Sequence, residues 1–150
     1  MEDRSQTPPY EAYAAIVGAF LAGLGAVSAL SRRSPPGTAL ELVALSAATF
    51  KASRTLSRER VASFLREPFV EGDDEHPAGQ GFQRALGELV TCTRCVGTWT
   101  AAALASSQMV APRFGRALTW TLAAGAANDF LQAGFAAVCA KVNELEEETV

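Results

Sequence analysis

The sequence predicts an all-α integral membrane protein, a single helical bundle of about four helices. Three spans are clear, and one is short or partial with an amphipathic extension. Three observations predict it. Residues 12–31 and 95–112 are runs of 20 and 18 residues without formal charge, and residues 117–140 are 24 more, broken only by Asp129. A helix rises about 1.5 Å per residue, so about 20 apolar residues cross a bilayer core. A soluble helix would instead show a charged face at helical period. The mean hydropathy, +0.11, averages these runs with short, strongly polar connections.

Composition narrows the class further. The chain has 150 residues, enough for one domain, with 49% apolar and 19% charged residues, which excludes a disordered polymer. A net charge of −3 argues against nucleic acid as a partner. The leader, MEDRSQTPPYE, carries more acid than base, the wrong balance for a signal peptide, so the first apolar run reads as a retained span.

Residues 1–9 form a polar lead ending in Pro8-Pro9, and the first helix covers 10–31. Ala14, Gly18, Ala22 and Ala26 recur every four residues, a ridge on which another helix can pack closely. The segment 31–37, SRRSPPG, stops that helix with two prolines. Thr38-x-x-Glu41 then has capping-box spacing, which reads Glu41 as a cap. The second helix covers 38–66. Its apolar part, 39–50, has only 12 residues, about 18 Å and too short to cross alone. A basic extension follows, ending at Glu67-Pro68.

Residues 71–81, EGDDEHPAGQG, are an acidic loop, and 82–91 are an interfacial segment. The third helix covers 92–111 and the fourth 115–142, before an acidic tail at 143–150. With both termini in the cytoplasm, the inner side collects Arg4, Lys51, Arg54, Arg58, Arg60, Arg66, Arg84 and Lys141. The outer side holds Arg32, Arg33, Arg113 and Arg116, so the bias favours that orientation.

Three groups of residues can carry chemistry. Cys92-Thr-Arg-Cys95 is a CxxC pair at a helix start, where the helix dipole and Arg94 favour a thiolate. The redox reading makes Cys92 and Cys95 a thiol–disulfide couple, although it lacks a second cysteine pair. The metal reading adds Cys139 for zinc, although four ligands are usual and His76 lies in the acidic loop. The third reading is close packing by two small residues, with no cofactor, and it leads. Asp129, beside Asn128, is an intramembrane polar group. It reads as an ion or proton site, or as a carboxyl that ties helices together through Thr98, Thr100, Ser106 or Gln108. Lys51, Arg54, Arg58 and Arg66 form a basic stretch suited to lipid phosphate, or one that serves topology alone. Trp99 reads as an interface marker or as packing against the second helix, and an arginine among 54, 58 and 66 is expected to pair with Glu88.

SRTLSRERVASFLREPFVEG at 53–72 and GELVTCTRCVGTWTAA at 87–102 together resemble the bacterial DUF1360 family, over roughly residues 40–140. The resembling positions are Arg54, Arg66, Pro68, Phe69, Gly87, Glu88, Leu89, Cys92, Cys95, Gly97, Trp99 and, less closely, Asp129. Where family members often have proline after the first cysteine, this chain has Thr93. The resemblance implies a small multi-pass protein of a bacterial cytoplasmic membrane and supplies no reaction. The expected role is a non-enzymatic structural or interaction protein in the lipid bilayer, as a homo-oligomer or with another membrane protein. A membrane thiol–disulfide oxidoreductase and a metal or anionic-lipid binding protein are the alternatives.

Overall fold

A computed structural model describes residues 8–30, 37–72 and 76–148. Most of the polar lead, Arg32 and Arg33, the acids at 73–75 and the last two residues of the tail lie outside the described residues. The described chain is all-α apart from a two-residue ribbon. Its helices are α1 (Tyr10–Leu30), α2 (Ala39–Arg58), α3 (Ser63–Arg66), α4 (Phe82–Thr91), α5 (Thr93–Val110) and α6 (Pro112–Glu148). Strands β1 (Val70–Glu71) and β2 (His76–Pro77) pair antiparallel, so the described residues at the start of the expected acidic loop carry a short ribbon.

α2, α5 and α6 form the centre. Two ion pairs, Glu41 with Arg116 and Lys51 with Asp129, advance together along α2 and α6, so these helices run parallel. α5 runs against both: the Thr93 hydroxyl bonds Ser57, while Gly97 lies beside Ser53. The core is built from small residues. Ala44, Ala48 and Ala123 surround Leu104, and Ser53 and Ser57 continue the buried face of α2. Small side chains let helix backbones come close. α5 turns into α6 through Ala111 alone, and Gly115 lies so near Ser107 and Gln108 that a Cβ would strike their backbone.

Among the described residues six α-helices stand where about four are expected, because the second helix does not continue to residue 66 and the interfacial segment is itself a helix, α4. It stops at Glu59, whose backbone is extended, and the chain proceeds through a 3-10 turn and the single turn of α3. The Arg66 guanidinium folds back and donates to the carbonyls of Leu56 and Glu59 at 2.8 and 3.2 Å. The last carbonyls of a helix have no partner within it, so Arg66, only 3% exposed, caps the end of α2. At the other end the Thr38–Glu41 capping box is complete.

α1 lies against α4 and α5. Tyr13 donates to the Glu88 carboxylate, and the Phe20 and Trp99 rings meet edge-on at 5.0 Å. Among the described residues one helix is long and apolar enough to cross a membrane by length and composition: Tyr10–Ala29, with mean hydropathy 1.8. In α5 the threonines, serines and Gln108 dilute the apolar content.

Candidate functional site

Cys92 has extended backbone and is the N-cap of α5, its Sγ accepting from the Cys95 amide at 3.3 Å. Closing the first turn of α5 brings residues 92 and 95 to a Cα separation of 5.3 Å, and the two cysteines are joined as a disulfide. Cys95 is exposed at the surface and Cys92 half-buried. Thr93 bonds the Ser57 hydroxyl at 2.7 Å, fastening the start of α5 to α2. Cys139 is a free, exposed thiol on α6. Among the described residues no three His, Cys, Asp or Glu side chains converge as metal ligands, so one chain does not assemble Cys92, Cys95 and Cys139 into the zinc set considered above.

Beside Cys95 a cleft of about 350 Å³ opens between α1, α4 and α5. Its walls are mainly apolar, from Ile16, Val17, Phe20, Leu89 and Trp99, with Tyr13, Glu88 and Thr98 as polar members. Trp99 therefore packs on α1 and not on α2, because the α2 face of α5 is occupied by Val96, Thr100 and Leu104, the buried residues of that helix. Glu88 pairs with Arg84 one turn earlier at 3.2 Å and accepts from Tyr13. The expected pairing with Arg54, Arg58 or Arg66 is absent, since Arg66 is turned to the end of α2 and Arg54 and Arg58 point outward.

The second cluster lies where α2 meets α6. Lys51 Nζ is 3.0 Å from Asp129 Oδ2 and 3.0 Å from Glu59 Oε1. The Lys51 ammonium, together with the Thr55 hydroxyl, holds the Glu59 carboxyl below its ordinary pKa. Arg54, Phe50 and Phe130 line the rest of this cavity of about 330 Å³, and the two phenylalanine rings stack at 5.3 Å. Asp129 is thus tied to a lysine. Two of the expected neutral partners are engaged elsewhere, Gln108 with Thr119 and Thr100 with the Gly97 carbonyl. Asn128, its neighbour, is exposed. The four basic residues do not make one phosphate patch: Lys51 is occupied by two carboxylates and Arg66 is buried, which leaves Arg54 and Arg58 exposed.

Tyr13, Phe20 and Glu59 were not singled out in the sequence. Glu59 lies eight residues after Lys51, beyond helical neighbour spacing, and reaches it only because α2 ends there.

The family model described as "Protein of unknown function (DUF1360)" matches residues 44–135. The chain belongs to the DUF1360 family. The matched region holds most of α2, the cysteine pair, α5 and Asp129, while α1 and Cys139 lie outside it. The DUF1360 chain is also similar to the sporulation protein YjcA of Bacillus subtilis (strain 168). The two are 34% identical over 95 residues, covering 56% of this chain and 80% of that protein. No solved structure matches.

Proposed function

We propose that this DUF1360 member is a multi-pass membrane protein with a structural or interaction role, in which the Lys51–Asp129 pair fastens α2 to α6 inside the bilayer. The observation that carries this reading is the inverted distribution of side chains. Buried positions are small or polar, such as Ala48, Ser57, Thr100 and Thr119, while Leu42, Val43, Leu131, Phe135 and Val138 face outward. Soluble proteins rarely expose apolar surface so continuously. The pair also accounts for the length of the second span. All 20 residues of α2 reach about 30 Å; a lysine within it is tolerated when a carboxylate neutralises it, and Arg54 and Arg58 near its end extend their charges to the interface.

Alkaline carbonate washing of membranes tests this directly: the chain is expected in the pellet, and its release into the supernatant would overturn the proposal. Orientation is read separately, from a cysteine-free variant carrying Gln80→Cys. An impermeant maleimide applied from outside is expected to leave that cysteine unlabelled. Labelling would invert the topology.

One observation favours a second reading. Cys92 and Cys95 are joined at a helix start with Cys95 exposed, the arrangement a thiol–disulfide exchanger needs. This reading expects a reversible disulfide in membranes. Cys92→Ser and Cys95→Ser should then lose the same cellular function.

A further inference from the structure

We propose that the cleft between α1, α4 and α5 binds an isoprenoid quinone that oxidises the Cys92–Cys95 dithiol. This rests on the thiol–disulfide reading of the pair. Cys95 forms part of the cleft wall, so a redox-capable sulfur and an apolar cavity share one surface. Phe20 and Trp99, with their ring planes 64° apart, form an aromatic corner against one face of which a planar ring can stack. A plain acyl chain would use the apolar wall but has no acceptor for the Thr98 hydroxyl, which also lines the cleft, whereas the Tyr13 hydroxyl is given to Glu88. A quinone ring has a carbonyl oxygen to accept from that donor, and its apolar tail suits the exposed face of α1 at Val17 and Leu21.

The electrons balance within the named partners. The two thiols give up two electrons and two protons as the S–S bond forms. The quinone takes both, its carbonyl oxygens becoming the hydroxyls of the hydroquinone. A protein dithiol exchanging through exposed Cys95 then restores the pair and leaves as a disulfide, so the net reaction is dithiol plus quinone to disulfide plus hydroquinone.

The test uses the full chain in detergent micelles, reduced with dithiothreitol and desalted without oxygen, then mixed with decylubiquinone. One hydroquinone per chain is expected, with loss of two free thiols, and none with Cys92→Ser or Cys95→Ser. Trp99→Ala and, as a second variant, Phe20→Ala should slow the reaction at limiting quinone at least tenfold, while the soluble oxidant diamide closes their disulfide at the normal rate. Two results overturn the quinone site: wild-type rates in both cleft variants, or thiols that diamide closes and decylubiquinone leaves free. The latter leaves the thiol reading standing. Thiols that neither oxidant closes overturn both.

Discussion

Lys51 on α2 places its ammonium 3.0 Å from the Asp129 carboxylate on α6, and these side chains are only 22% and 41% exposed. The pair sits beside the stacked Phe50 and Phe130 rings, so losing Lys51 leaves Asp129 and Glu59 without their shared cation, while losing Asp129 leaves Lys51 with Glu59 alone. Lys51→Met and Asp129→Asn are each expected to lower the melting temperature in detergent micelles. The double variant should recover part of the loss, with a coupling of about 0.5–3 kcal/mol. Strict additivity of the two single effects would show that the pair contributes nothing.

Arg66 acts at a distance in sequence on the end of α2. Its buried guanidinium donates to the Leu56 carbonyl and joins the Ala62 amide in donating to the Glu59 carbonyl. Arg66→Met keeps most of the side-chain stem and removes the donors. It should destabilise the fold by about 2 kcal/mol, the scale of hydrogen bonds to a charged group. Proteolysis is expected to move to the segment around 59–63. An unchanged melting temperature and cleavage pattern would remove Arg66 from this role.

The helical class of this chain was legible because long uncharged runs and the Thr38–Glu41 box are local signals. Cys92 and Cys95 were legible as a pair because one helical turn joins them. What stayed hidden depended on rotation and register between helices. Lys51, Asp129 and Glu88 each stood out alone, but nothing along the chain says that Lys51 faces Asp129 or that Glu88 faces Tyr13. Arg66 looked like one more basic residue of a helical extension, because a side chain that caps a helix eight residues back leaves no periodic trace. The cleft beside Cys95 needs α1, and the contacts of α1 with α4 and α5 arise only in the packed state.

Gly87 marks where α4 passes the hairpin. A Cβ there would strike the Phe69 carbonyl oxygen and lie 3.0 Å from Pro77. Gly87→Ala should therefore cost about 1–3 kcal/mol, the usual range for overpacking against atoms that cannot move aside. Gly18 on α1 has nothing within 4 Å of the same position, and Gly18→Ala should be neutral or stabilise by up to about 1 kcal/mol through the unfolded chain. Melting temperatures of the two variants in one detergent decide this, and equal losses would refute the close approach at Gly87.

Glu59 gives the Lys51 cluster a pH dependence. Its carboxyl is held below the ordinary glutamate value, first by the bond from Lys51. A group with a lowered folded pKa contributes stability above its unfolded pKa, about 4.3, and that contribution is lost as pH falls through the lower folded value. The melting temperature of the wild-type chain is therefore expected to drop on acidification below about pH 4.3, by more than that of Glu59→Gln, which accepts from Lys51 at every pH but cannot titrate. Lys51→Met should flatten the same acid limb, because without the ammonium the Glu59 carboxyl loses the main cause of its shift. An acid limb identical in all three chains would place the origin of the acid sensitivity outside this cluster.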